Sequence, residues 1–176
     1  MQVQLIATSQ GVSAAAWQNG LLEGVTLPHS CKETALATLC GYVKEKLSEK
    51  NICCDLTSLQ KDFEKNMVLY FAGKPAGFNV PLNWEKLTPF QQRVLSIVQQ
   101  IPYGEALSYG EIAELAGCRG GARAVGGAVG ANPWLLAIPC HRVLAAKGGL
   151  GGFGCGREWK EKLLQMEKIQ YKPSGS

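Results

Sequence analysis

One cysteine in this chain stands in a setting that suits nucleophilic chemistry. Cys140 follows an apolar run and is flanked by Pro139 and His141. The thiolate is the reactive form of cysteine, and at an ordinary pKa of about 8.5 only a few per cent of a thiol is ionised near neutral pH. A base is therefore needed, and His141 is the nearest candidate, acting through a bridging water. The pattern favours a cysteine nucleophile with a histidine base.

A carboxylate is expected to orient that imidazole. The segment from Arg157 to Glu167 is predicted to be a helix with Trp159, Leu163 and Met166 on its buried face. This helix holds the last acidic residues of the chain. Because Glu167 is adjacent to Met166, it is the acid expected at the edge of the buried face.

Other interpretations of the cysteines stay open at this level. Cys140 in an apolar run is also typical of a packing thiol. Zinc binding by Cys140 and His141 is disfavoured, because their spacing to Cys118 and Cys155 matches no common zinc pattern. The seven cysteines show no disulfide framework, which predicts reduced thiols. A structural zinc site in the first half is a further alternative, from His29, Cys31, Cys40, Cys53 and Cys54.

Positive charge is concentrated in the second half of the chain. The formal net charge of +4 arises within residues 88–176, because residues 1–87 hold equal numbers of acidic and basic side chains. Between Cys118 and Arg157 there is no acidic residue. A patch of this kind suits a polyanion such as nucleic acid, and a solvated basic face is the alternative. Its basic members are Arg119, Arg123, Arg142, Lys147 and Arg157.

The composition is that of a globular protein. Of 176 residues, 46% are hydrophobic and 18% are charged, which excludes a disordered chain or a coiled coil. No window approaches the roughly 20 unbroken apolar residues of a membrane span. The first residues lack the pattern of a signal peptide, so we expect an intracellular protein.

Local patterns predict sheet and helix in the first half. A hairpin turn is expected at Asn19-Gly20, between two strands. The predicted strands and the helix, in chain order, are residues 3–7, 13–17 and 21–27 as strands, 31–47 as a helix, and 68–71 as a further buried strand.

Two capping boxes mark helix starts in the second half. Thr88 with Gln91 begins one helix, and Ser108 with Glu111 begins a shorter one. After a turn, residues 122–129 form another helical run. The order of helix, tight turn and helix predicts a helix-turn-helix.

Two glycines are unusual inside the last of these helices. Gly126 and Gly127 each cost about 1 kcal/mol relative to alanine in a helix interior. Close packing of this helix within the protein is one explanation. The other is a smooth helix, with Arg123 as its one long side chain, that presses its backbone into the minor groove of DNA.

The motif around the cysteine resembles the active-site signature of the methylated-DNA–protein-cysteine methyltransferases, the O6-alkylguanine-DNA alkyltransferases. The resemblance is strong over residues 68–169. That signature is Pro139-Cys140-His141-Arg142-Val143. Further motifs in family order are Phe90-Gln91, Ile101-Pro102-Tyr103-Gly104, Ser108-Tyr109, Arg123-Ala124-Val125-Gly126, Asn132-Pro133 and Gly148-Gly149.

The resemblance implies an α+β fold in two parts. The first is an N-terminal ribonuclease-H-like domain of sheet and helix. The second is a mainly helical domain with a winged helix-turn-helix that binds DNA. The predicted limits are 1–80 for the N-terminal α/β domain, 81–87 for a linker, 88–172 for the C-terminal alkyltransferase domain and 173–176 for a tail.

The resemblance also implies direct reversal of DNA damage. Family members rotate O6-alkylguanine out of duplex DNA from the minor-groove side and move its alkyl group onto the cysteine, with O4-alkylthymine as a further substrate. The thioether is stable, so each molecule is expected to react once. The resemblance further implies a monomer that needs no cofactor or metal and that acts in the cytoplasm or nucleus, away from membranes. The rivals are a non-catalytic lesion-binding protein, which Cys140 argues against, a transcription regulator and a cysteine hydrolase.

Carried over by position, the resemblance assigns four catalytic residues. Cys140 would attack the alkyl carbon, and His141 would be its base through water. Glu167 would orient the imidazole. Tyr109 would help to rotate the nucleotide and donate a proton toward the guanine ring.

The same transfer assigns residues to DNA and to the pocket. Arg123 would fill the gap in the base stack, Asn132 would pin a turn, and the carbonyl of Val143 would accept from the guanine amino group. Family members often have Tyr-Ser where this chain has Phe153-Gly154, so the hydroxyl donors are missing. The full DNA-binding set is Arg123, Ala124, Gly126, Gly127, Ser108 and Arg142. The full pocket set is Asn132, Val143, Phe153, Gly154 and Leu135.

Overall fold

A three-stranded antiparallel meander opens the chain. Strands β1 (Gln2–Thr8), β2 (Gly11–Gln18) and β3 (Leu21–Val25) pair in the order β1-β2-β3. The turn between β2 and β3 is Asn19-Gly20, with φ of 53° and 78°. Positive φ at both positions is what a tight hairpin of this kind requires, and asparagine and glycine tolerate it best. The first three predicted strands and the hairpin are confirmed, although β3 ends two residues before its predicted end at residue 27.

Helix α1 (Lys32–Val43) covers one face of this sheet. Its buried side chains pack against β1 and β2 through Val3, Ala14, Ala16, Leu36 and Leu39. The helix ends four residues short of its predicted end at residue 47. Lys44 adopts a left-handed conformation, φ 56°, which ends the helical hydrogen bonding there.

Helix α2 (Ser58–Phe71) corrects the predicted strand at 68–71. Thr57 caps the helix in a capping box with Gln60. Its buried residues recur every three or four positions, as in Phe63, Met67 and Tyr70. A run of four apolar residues fits either a strand or one turn of a helix, and the spacing of the upstream residues decides for the helix.

The second half of the chain is mainly helical. Its helices are α3 (Pro89–Gln99), α4 (Tyr109–Leu115), α5 (Ala122–Gly130) and α6 (Arg157–Met166). Short strands β4 (Leu107–Ser108) and β5 (Val143–Leu144) pair in parallel. Both predicted capping boxes are formed, by Thr88 before α3 and by Ser108 before α4. The mixed α+β architecture is therefore as predicted.

The computed structural model describes residues 1–172, and the predicted tail at 173–176 lies outside them. Contacts divide the chain into two compact units. The first holds Met1–Asn83 together with Pro133–Ala137, and the second holds Trp84–Asn132 and the described residues from Ile138 to Lys172. The predicted domain limits stay a prediction. Within the described part of the chain, no helix is long and apolar enough to cross a membrane.

Candidate active site

The thiol of Cys140 lies inside the second unit. A short 3₁₀ turn, Cys140–Arg142, carries it directly before β5, and the residue is 4% exposed. Burial raises the pKa of Cys140 to about 11, although a hydrogen bond from Asn132 and the charge of Lys160 act in the opposite direction. The resting thiol is thus protonated at neutral pH. Its reaction requires a base that removes the proton as the sulfur attacks.

The residues predicted as the base and its orienting acid are in contact. Nε2 of His141 lies 2.8 Å from Oε1 of Glu167, and both side chains are buried. Burial lowers the pKa of His141 despite the neighbouring carboxylate, so the imidazole is neutral at pH 7. A carboxylate only accepts hydrogen bonds, so Nε2 carries the proton and Nδ1 is the accepting nitrogen of the ring.

Glu167 is placed by the end of α6. It is the residue that follows the helix, and it is 2% exposed. The buried side of α6 is rotated by one residue from the prediction. Leu163 is buried as expected, whereas Trp159 and Met166 are only half-buried. Lys160 takes the buried position instead.

Arg142 corrects a prediction, because it does not face solvent. The residue is 9% exposed, and its Nε and Nη2 lie 2.8 and 3.0 Å from the two carboxylate oxygens of Glu167. Its Nη1 donates to the carbonyl of Ile101 at 2.6 Å. A guanidinium with these partners is not available for the predicted contact with DNA.

Lys160 is a site residue that sequence reasoning missed. It is fully buried, and its Nζ donates to the carbonyls of Val143, at 2.6 Å, and Leu150. A longer contact, 3.5 Å, reaches the carbonyl of Gly152. Burial lowers the pKa of Lys160 to about 8. The available signal was the helical spacing of 160, 163, 164 and 167, which places Lys160 on the same face as Glu167.

Tyr109 is the first residue of α4 and is half-buried. Its hydroxyl donates to the carbonyl of Gly152 at 3.2 Å. Burial raises the pKa of Tyr109, and Cys140 adds to the rise, so the phenol keeps its proton at neutral pH. Gly151 has φ of +67°, and a Cβ there would lie 3.0 Å from the tyrosine ring. The loop that contains Gly151 and Gly152 therefore packs tightly against Tyr109.

The residues predicted to form the pocket lie before and after the cysteine in the chain and differ in burial. Asn132 is buried, and its Nδ2 donates to the carbonyl of Ile138 at 2.9 Å, across the turn that leads to the cysteine. The ring of Phe153 is half-buried, with its centroid 6.0 Å from Nζ of Lys160. Gly154 is exposed. Leu135 is buried in the segment 133–137, which groups with the first unit.

One side of α5 is exposed and almost free of side chains. Arg123, Ala124 and Gly127 are exposed together. A Cβ at Gly127 would meet nothing within 4 Å, whereas one at Gly126 would lie 3.8 Å from the ring of Tyr109, an ordinary contact. Packing inside the protein therefore does not explain Gly127. This favours the alternative in which the helix backbone approaches an external partner.

Two other predicted features have clear positions. The hydroxyl of Ser108 caps α4 by accepting from the amide of Glu111 at 3.2 Å. Arg119, a member of the basic segment, has a side chain that is 90% exposed. Across residues 1–172, no three histidine, cysteine, aspartate or glutamate side chains are grouped to hold a metal ion.

Comparison with known proteins identifies related sequences. Residues 89–169 match the family model described as 6-O-methylguanine DNA methyltransferase, DNA binding domain. A methylated-DNA–protein-cysteine methyltransferase of Mycobacterium tuberculosis is 52% identical over 99 residues, which are 56% of this chain and 59% of the relative. That match spans less than two thirds of the relative's length. A protein of the same name from Methanosarcina acetivorans is 38% identical over 124 residues, 70% of this chain and 79% of the relative.

Solved structures extend the similarity over nearly the whole chain. A crystal structure of Mycobacterium tuberculosis OGT in complex with DNA has a TM-score of 0.74 and 34% sequence identity, covering 96% of this chain and 93% of that one. The O6-methylguanine-DNA methyltransferase from Pyrococcus kodakaraensis shares the fold, with a TM-score of 0.69 at 24% identity. Sequence identity of 38% over most of a relative, together with this shared fold, places the chain in the methylated-DNA–protein-cysteine methyltransferase family.

Proposed function

We propose that this protein repairs DNA by transferring the alkyl group of O6-alkylguanine irreversibly to Cys140. One observation carries the proposal: a buried thiol directly precedes a buried histidine that is hydrogen-bonded to a buried glutamate. This arrangement supplies a nucleophile, a base and an orienting carboxylate in one place. O4-alkylthymine is a further substrate of the same chemistry.

The transfer is a displacement at the alkyl carbon. The thiol proton passes through water to Nδ1 of His141 as the sulfur attacks. The carbon–sulfur bond forms while the bond from the alkyl carbon to guanine O6 breaks. The electron pair of the broken bond stays on guanine O6. Tyr109 donates a proton toward the guanine ring and is reprotonated from the imidazolium, so the thiol proton ends on guanine. The thioether has no route back to a thiol, and each molecule therefore acts once.

Duplex DNA binds through α4 and α5, which form a helix-turn-helix of the winged type. The smooth exposed side of α5 lies in the minor groove, and Arg123 fills the space that the rotated base leaves. Rotation is required because a protein side chain cannot reach the alkyl carbon while the damaged base is stacked in the duplex. The sheet and helices of the first unit are of the ribonuclease-H-like type.

The rotated guanine is held by the loops around the cysteine. The carbonyl of Val143, already bound by Lys160, has a second lone pair for the guanine amino group. Phe153 forms a wall, and backbone amides at Gly154 or Cys155 replace the missing hydroxyl donors at guanine O6. Displacement by a thiolate needs no redox group, and the transfer therefore requires no cofactor or metal. The protein acts as a monomer, in the cytoplasm or in a nucleus.

Transfer of a labelled methyl group tests the proposal. Excess duplex with one O6-[³H-methyl]guanine is incubated with the wild type, with Cys140→Ala and with the neighbouring-thiol control Cys155→Ala. We expect the wild type and Cys155→Ala to take up one label per molecule, and Cys140→Ala to take up none while still binding the duplex. Tight, lesion-selective binding without label uptake by the wild type would identify a non-catalytic lesion binder instead.

A further inference from the structure

Every hydrogen-bonding position of the buried carboxylate in this site is occupied. The oxygens of Glu167 accept from Nε2 of His141, from Nε and Nη2 of Arg142, and from the amide of Gly104 at 3.3 Å. A carboxylate has about four acceptor positions, so this one is saturated. Arg142 provides two of the four donors, in the paired geometry that fixes a carboxylate most rigidly.

The charges of Arg142 and Glu167 balance each other without the histidine. Arg142 carries one positive charge and Glu167 one negative charge, and both are buried. Burial lowers the pKa of His141, and the charged groups that face it act in opposite directions. Glu167 raises this pKa, whereas Arg142 and Lys160 lower it. The Tyr103 ring packs against the guanidinium, 5.8 Å from ring centroid to Cζ, and its hydroxyl donates to the carbonyl of Met166 at 3.1 Å. Cys140 keeps its proton at rest.

We propose that Arg142 is a positioning residue that keeps His141 a neutral base, by neutralising Glu167 through a bidentate ion pair. Without Arg142, the buried carboxylate would lose its ion-pair partner, and the titratable imidazole would still lie 2.8 Å from it. Because an uncompensated buried charge is costly, His141 would take up a proton and become an imidazolium. An imidazolium cannot accept the proton of the Cys140 thiol.

The effect on catalysis rests on the proposed alkyl transfer, but the protonation state of His141 does not. The chain has only two histidines, His29 and His141, so NMR of ¹³C,¹⁵N-histidine-labelled protein resolves each ring. The measurement needs no DNA. A failure of the proposed function would leave methyl transfer absent in the wild type, whatever the histidine spectra show.

The test compares Arg142→Gln, which removes the charge, with Arg142→Lys, which keeps it. In the wild type we expect a neutral, Nε2-protonated His141 at pH 7. In Arg142→Gln we expect its pKa to rise above 7. The rate of transfer at pH 7 should then fall about tenfold for each unit by which that pKa exceeds 7, and recover as the pH is raised toward 9. Arg142→Lys should restore the neutral ring and most of the lost rate. Arg93→Gln, which removes an exposed arginine elsewhere in the second unit, is the matched control.

Two results would overturn the proposal. One is a folded Arg142→Gln protein whose His141 titrates as in the wild type. The other is an Arg142→Lys protein that matches Arg142→Gln in both pH profile and histidine spectrum. If Arg142→Gln does not fold, the double variant Arg142→Gln/Glu167→Gln removes both charges and should keep His141 neutral. A protonated His141 in the wild type at pH 7, or in that double variant, contradicts the proposal directly.

Discussion

Replacing Gly127 by alanine should stabilise the protein and weaken its binding to DNA. Gly127 lies inside α5, and an added Cβ would meet nothing within 4 Å. Alanine is favoured over glycine in a helix interior by about 1 kcal/mol, so the free energy of unfolding should rise by about that amount. For a chain of this size the melting temperature should rise by about 2–4 °C.

The loss of DNA affinity follows from the proposed contact between α5 and the minor groove. If the helix backbone packs closely against DNA, a methyl group at position 127 overfills the interface. Overfilling a packed site costs about 1–3 kcal/mol, which corresponds to a Kd that is about 5-fold to 150-fold higher. Circular dichroism melting measures the stability, and fluorescence anisotropy with an undamaged labelled duplex measures the affinity.

Gly41 offers a matched control. It is an exposed glycine inside α1, and a Cβ there also meets nothing within 4 Å. Gly41→Ala should raise the melting temperature by a similar amount and leave the affinity for DNA unchanged. The reasoning is refuted if Gly127→Ala binds duplex as tightly as Gly41→Ala, because α5 would then not be the helix that meets DNA. A Gly127→Ala protein that is less stable than the wild type would contradict the open surroundings of this position.

Four further predictions concern the site and its charges. Arg123→Ala should slow repair of duplex DNA at least about fivefold, the low end of a contact of about one to three kcal/mol, while reaction with free O6-alkylguanine stays nearly constant; equal losses would refute its role in the base stack. Glu167→Gln should slow methyl transfer about 100-fold with little change in DNA affinity, and an unchanged rate would remove it from the mechanism. Duplex affinity should fall linearly on a log–log plot against salt, and a flat response would contradict the basic surface. Burial lowers the pKa values of His29 and His141 in the folded state, so the unfolded chain binds more protons below about pH 6.5. Urea titrations should therefore show stability lost as the pH falls below that value, by up to about 1.4 kcal/mol per pH unit for the buried His141 and by less for the partly buried His29, which solvent screens; constant stability from pH 7 to 5 would contradict this.

Helix starts were predictable because caps are local. The capping boxes at Thr88 and Ser108 involve residues three positions apart, and both form as the sequence indicates. The order of strands and the hairpin at Asn19-Gly20 follow from similarly short-range chemistry. The strand predicted at 68–71 was wrong, because four apolar residues alone do not distinguish the periodicity of a strand from that of a helix.

The charged residues show where local reasoning ends. Lys160 and Arg142 are polar in sequence, and both are buried by partners that are distant along the chain. Arg142 pairs with Glu167, 25 residues away, and Lys160 reaches the carbonyl of Val143, 17 residues away. Neither partner can be inferred from spacing within one element. The position of Glu167 beside His141 was predicted, through the helical pattern of α6 and the family resemblance, and the two side chains are in contact.

Intact-protein mass spectrometry tests the central claim most directly. The protein is mixed with excess duplex that contains one O6-methylguanine, and a peptide map then locates any added mass. The account predicts a gain of one methyl group on Cys140, with repair ending at one lesion per protein molecule. Unchanged mass despite lesion-selective binding, a methyl group on any other residue, or continued turnover would contradict it.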